Sequence, residues 1–129
     1  MELTLLGATL MLALVQILAA AQVRTRQYGT RWNMGARDEA MPPLGLLAGR
    51  LLRAQANLFE TLPLFIGALL GAVAAGRLGW KTELGAHLYF WGRLAYVPLY
   101  AFAVTGVRSL AWGVATLGLL LMIAALLFG

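Results

Sequence analysis

Long apolar runs separated by short polar interruptions set the plan of this chain. The first run extends from Leu3 to Val23 and is broken only by Thr4, Thr9, Gln16 and Gln22. About 20 consecutive apolar residues cross the hydrocarbon core of a bilayer, so this run predicts a transmembrane helix. The small-residue stretch Ala19-Ala20-Ala21 resembles a leader cleavage site. The residues before the run, however, include Glu2 and no Lys or Arg, whereas a leader peptide starts basic. Arg24 to Gly45 reads as a loop with room for a short helical turn. It holds Arg24, Arg26, Arg31 and Arg37 beside Asp38 and Glu39, then Pro42-Pro43 and Gly45. The remaining runs predict helices at 46–75, 83–104 and 108–128, with a turn from Gly76 to Lys81 and with Thr105-Gly106 closing the third helix. No internal repeat is visible. The expectation is one all-α integral membrane domain over residues 1–129, with four transmembrane helices.

Composition agrees with that pattern. Of 129 residues 61% are hydrophobic and 12% charged, against about 45–50% and about 25% in a soluble domain, which excludes an ordinary water-soluble core. With no cysteine, neither disulfides, thiolate metal sites nor a protein thiol nucleophile is available. One histidine and scattered carboxylates offer no metal-ligand cluster, so no metal site is expected. The net charge of +5 does not point to nucleic acid, because the cations are spread over the loops rather than gathered into a soluble basic module. They read instead as topology signals. The first loop and Arg108 place five arginines on one side of the membrane, and Arg77 and Lys81 stand on the other. The bias predicts a cytoplasmic first loop and both termini on the opposite side. In a bacterium that is the inner membrane with a periplasmic N-terminus; in a eukaryote it is an endoplasmic-reticulum-type membrane.

Candidate chemistry lies on the second and third predicted helices. Arg50, Arg53, Asn57 and Glu60 recur at spacings of three, four and three and fall within roughly an 80° arc, one polar stripe on an oily rod. Glu60 lies about 15 Å deeper than Arg50. A charge there costs at least about 2.5 kcal/mol unless it faces protein or water, so Glu60 is expected to have partners. Tyr89, Arg93, Tyr96 and Tyr100 form a similar stripe on the third helix, at depths where the two stripes can meet. His87 lies on another face and is assigned no role. A structural reading stands beside the functional one: Arg50 and Arg53 snorkel to the interface, Asn57 bonds a neighbouring helix, and Glu60 pairs with Arg93. The full set, rich in guanidinium groups with Asn and Tyr as neutral partners, suits an anionic polar ligand better than a single helix contact.

The run Arg50-Leu-Leu-Arg53-Ala54-Gln55-Ala56-Asn57-Leu-Phe-Glu60-Thr-Leu-Pro63 resembles the signature Arg-Ala-x-x-Asn-x-x-Glu-x-x-Pro of the MAPEG family, the membrane-associated proteins in eicosanoid and glutathione metabolism. Arg93-Leu-Ala-Tyr96-Val-Pro-Leu-Tyr100 is similar to that family's third-helix motif, and the length and layout agree over nearly the whole chain. The family includes microsomal glutathione transferases and leukotriene C synthase. The resemblance implies a homotrimer that binds glutathione as co-substrate between subunits, near the cytoplasmic face. Arg53 resembles the arginine on a glutathione carboxylate, Asn57 and Glu60 the polar pair below it, and Tyr96 and Tyr100 the tyrosines that line the site from the adjacent subunit. Arg50 belongs to the same substrate-binding stripe. Arg93 matches the motif's arginine in a binding or structural role.

Two positions depart from the catalytic members. Thr61 stands where some carry a tyrosine after the signature glutamate, and Arg108 is only an approximate counterpart, about one residue out of register, of the arginine that stabilises the thiolate. The implied function is a transferase or peroxidase in which a glutathione thiolate, stabilised by the catalytic candidate Arg108, attacks a lipophilic electrophile or reduces a lipid hydroperoxide arriving from the bilayer. Phe90, Trp91 and Trp112 are candidates to line the lipophilic pocket, against the commoner use of membrane aromatics in packing and anchoring. The departures keep a non-catalytic ligand-binding or scaffold protein of the same fold as the alternative. A small transporter using Glu60 and Arg93 as a relay fits less well, because no broken helix or inverted repeat is visible.

Overall fold

The structure is a computed structural model that describes residues 1–129. It is entirely helical: α1 Glu2–Tyr28, α2 Thr30–Met34, α3 Leu46–Ala74, α4 Trp80–Ala101 and α5 Thr105–Phe128. Three of these, α1, α3 and α5, are long and apolar enough to cross a membrane. The 22 residues of α4 have the length but not the hydropathy; its polar side chains Thr82, Arg93 and Tyr96 are turned inward and buried. Leu58, Leu62, Phe65 and Leu69 on α3 recur at spacings of four, three and four and meet Ala86 and Tyr89 of α4, Leu119 and Met122 of α5, and Leu5, Leu6 and Ala13 of α1 in one core.

Helices α4 and α5 approach backbone to backbone. A Cβ on Gly85 would lie 2.6 Å from the Gly118 carbonyl oxygen, and one on Gly118 would lie 2.5 Å from that of Gly85. Further along, Gly92 faces Ala111 and Ala115 in the same way. Without a hydrophobic force between helices in lipid, such small-residue seams supply the contact through dispersion.

Helix ends differ from the sequence expectation in instructive ways. α1 runs on past Val23 to Tyr28, so Arg24 and Arg26 lie on its last turns, where cations complement the helix dipole. The expected loop is partly α2, with Gly29 at φ 93° between the two helices. Gln27 ties this region to the start of α3 by donating to the Pro43 carbonyl at 2.8 Å and accepting the Gly45 N–H at 2.7 Å. α3 stops as expected at Gly76, whose φ of 67° suits glycine. α4 begins earlier than expected, at Trp80, with the Thr82 hydroxyl accepting the Gly79 N–H at 2.9 Å. It also ends earlier, at Ala101. There the Val104 N–H bonds the Leu99 carbonyl at 2.8 Å and the Ala103 N–H bonds the Tyr100 carbonyl at 3.1 Å, a Schellman closure with Ala103 at φ 58°. Gly106, read from sequence as the stop, lies inside the first turn of α5.

Candidate functional site

The ends of α1, α3, α4 and α5 that carry Arg26, Arg50, Ala101 and Arg108 gather most of the cations. Seven of the ten Lys and Arg residues stand there, Arg93 is deeper, and Arg77 and Lys81 sit at the other end. That last pair caps α5: Arg77 Nη1 donates to the Leu126 carbonyl at 2.5 Å and Lys81 Nζ to that of Gly129 at 2.9 Å.

At the cation-rich end the two polar stripes meet within one chain. Arg53 Nε donates to the Tyr100 hydroxyl at 3.1 Å, and Arg93 Nη1 donates to Asn57 Oδ1 at 2.8 Å. The resemblance had implied tyrosines reaching the site from an adjacent subunit; inside the single chain Tyr100 already touches Arg53. Arg50 Nη1 lies 3.3 Å from the Ala101 carbonyl and so helps close the C-terminus of α4. Arg108, on the first turn of α5, sets its guanidinium 4.6 Å from the Tyr100 ring centre. Tyr100 therefore has two guanidinium groups against it, Arg53 being 5.9 Å from the same ring. Tyr96 packs 5.6 Å from Tyr100 between centroids and lies under the Arg93 guanidinium at 4.3 Å.

Arg93 is only 1% exposed, and its bond to Asn57 has a directional consequence. With Oδ1 occupied by the arginine, the Asn57 amide presents its NH2 as the free donor. Asn57 also lines a small cavity of about 160 Å³ with Tyr96, Arg108, Ser109 and Trp112. Its wall thus offers an amide donor, a phenol, a hydroxyl and a guanidinium. The fork of Arg53 is likewise uncommitted, since only its Nε is bonded and the side chain is exposed. The cluster binds its guanidinium groups to neutral oxygens and aromatic faces. The one ion pair of the structure is the N-terminal amine with Glu2, at 3.7 Å.

Glu60 departs from expectation. It does not pair with Arg93 and has no hydrogen bond; it is exposed on the outside of α3, one turn beyond Asn57. Tyr89, aligned with the third-helix stripe, belongs to the core: it stacks on Phe65 at 4.2 Å and 7° and shares a 2.8 Å hydrogen bond with Thr61. Thr61 is therefore turned into the packing between α3 and α4. His87 Nδ1 accepts the Trp91 indole N–H at 3.2 Å on another face. Sequence reasoning missed Ser109, which lacks any motif and joins the site only because it follows Arg108 at the start of α5.

A family model described as MAPEG family matches residues 5–128. The chain belongs to the MAPEG family. The match runs from the first turn of α1 to the end of α5 in this MAPEG protein, and its apolar helices fit a membrane protein. No curated protein and no solved structure matches the chain.

Proposed function

We propose that this MAPEG protein is a membrane-bound, glutathione-dependent transferase or peroxidase acting on lipophilic electrophiles or lipid hydroperoxides. The observation that carries the reading is the group of guanidiniums at one end of α3, α4 and α5, bonded to neutral partners around a small polar cavity and leaving the Arg53 fork and the Asn57 NH2 free. A tripeptide with two carboxylates and an amine supplies what that group lacks. The Arg53 fork takes a carboxylate bidentately, Asn57 donates to a ligand oxygen, and Glu60 receives the amino group. Arg50, Arg93, Tyr96 and Tyr100 hold these groups in place.

Arg108 stabilises the thiolate, as a nearby cation lowers a thiol pKa. In conjugation the thiolate forms a bond to an electrophilic carbon and the displaced pair leaves with the leaving group or opens a strained ring, which then takes a proton. In peroxide reduction two glutathiones supply two electrons, giving an alcohol, water and glutathione disulfide.

All four long helices cross the membrane in this proposal, α4 with its polar face against the others. The cation-rich end is cytoplasmic and both termini lie on the far side. The working unit is a homotrimer, because an exposed Glu60 at membrane depth requires cover that one chain does not provide. A second reading, a non-catalytic binding protein of this fold, draws on Thr61, whose hydroxyl is committed to Tyr89.

One experiment separates the readings. Purified protein, verified as a trimer by native mass spectrometry, is titrated with glutathione while thiolate ultraviolet absorbance is followed, and a model electrophile is then added. Transferase function predicts thiolate formation at neutral pH and conjugate formation, with the bound thiol's pKa rising in Arg108→Ala. Binding without thiolate supports the second reading, and no binding refutes the transferase or peroxidase.

A further inference from the structure

Behind the polar site, on the opposite sides of α3 and α4, runs a second cavity. Leu51 lies roughly 160° around α3 from Arg53, and Pro98 roughly 160° around α4 from Tyr100. Both line a groove of about 480 Å³ together with Leu12 and Gln16 of α1 and Trp91 and Leu94 of α4. No ionisable residue lines it. The groove continues along α1 into a wholly apolar stretch of about 340 Å³ that shares Leu12, Val15 and Leu94 with it and adds Ala8, Met11 and Phe90. From Gln16 to Ala8 the path is about 12 Å along the helix.

One polar side chain lies in this apolar wall. Gln16 is 4% exposed, and both its amide oxygen and its amide nitrogen lack any hydrogen-bond partner. Buried carboxamides are almost always bonded, so an unpartnered one asks for an explanation. The groove therefore has one unpartnered acceptor and one unpartnered donor group in its wall, beside a long apolar channel.

We propose that this groove binds a single-chain amphiphile with an uncharged head that both donates and accepts hydrogen bonds, of which a primary amide is the best match. Its NH2 serves the Gln16 carbonyl and its C=O takes the Gln16 NH2 once the flexible side chain turns the amide toward the groove, and its hydrocarbon tail lies between α1 and α4. A carboxylate, phosphate or ammonium head is disfavoured because no counter-charge lines the cavity. The site is separate from the guanidinium cluster and does not depend on the glutathione reading.

Trp91 in the wall provides the assay. The full chain, with Trp32, Trp80 and Trp112 replaced by Phe and its helicity checked by circular dichroism, is placed in phosphatidylcholine vesicles. It is titrated with dibromostearamide, with the methyl ester of dibromostearic acid, and with dibromostearate, whose bromines quench a tryptophan at contact range. The amide should quench Trp91 saturably. The ester, which accepts but cannot donate, should bind about tenfold more weakly, and Gln16→Leu should bring the amide to the level of the ester. Equal quenching by amide and ester, stronger quenching by the carboxylate, no saturable quenching at all, or an unchanged Gln16→Leu variant would each overturn the proposal.

Discussion

Asn57 is where one substitution tests both the fold and the site. The Arg93 guanidinium is buried among α3, α4 and α5 with a single hydrogen bond, to Asn57, and the Tyr96 ring beneath it. Placing an arginine at membrane depth costs about 2.5–3.5 kcal/mol on insertion scales. A hydrogen bond to a charged group returns about 1.5–3 kcal/mol and a desolvated cation–π contact about 2 kcal/mol, while Nε and Nη2 of the same guanidinium have no partner, so the Asn57 bond is the one strong hydrogen bond that holds this cation. Asn57→Leu removes it and should lower stability by about 1.5–3 kcal/mol. Asn57→Asp instead gives Arg93 a carboxylate and should keep stability at or above wild type. For ligand binding the two variants should agree. Both lose the outward NH2, and Asn57→Asp adds a negative charge beside an anionic ligand, so glutathione affinity should fall at least about tenfold in each. Thermal unfolding in one detergent gives the first comparison and calorimetry the second. If Asn57→Asp lost as much stability as Asn57→Leu, or kept full affinity, the orientation assigned to this amide would be wrong.

Arg53→Ala should weaken glutathione binding by about 1.5–3 kcal/mol through loss of a charged hydrogen-bonded contact to a carboxylate, while Arg77→Ala, which removes a cap of α5 at the opposite end, should leave affinity unchanged; calorimetry on both variants is the check. Gly118→Ala puts a methyl 2.5 Å from the Gly85 carbonyl oxygen and should destabilise by about 1–3 kcal/mol, read as a lowered unfolding midpoint, whereas Gly113→Ala, with open space around it, should not. Ala103→Gly relieves a left-handed alanine and should raise stability by about 1 kcal/mol, visible as a higher midpoint with helicity preserved.

Much of this protein is legible in one dimension. Apolar runs set the number of long helices, since a mostly apolar stretch of bilayer length has few other stable states, and Gly76 marked the end of α3 because a left-handed closure favours glycine. The spacings of Arg50, Arg53, Asn57 and Glu60, and of Arg93, Tyr96 and Tyr100, likewise placed each stripe on one helical face, because the α-helical period is a property of the backbone. What periodicity does not contain is the pairing between stripes. Glu60 and Arg93 are the complementary charges, yet Arg93 turns to Asn57 and Glu60 faces outward. The packing of α4 on α5 had to rotate each helix to bring Gly85 against Gly118, and that rotation selects which polar groups face one another. The end of α4 was hidden for a related reason. Its left-handed closing residue is Ala103 rather than a glycine, held by backbone hydrogen bonds to Leu99 and Tyr100 that no local residue preference announces. Period and hydropathy are local and survive in the sequence; helix rotation and forced backbone conformations are decided by what packs alongside, and exist only in the folded chain.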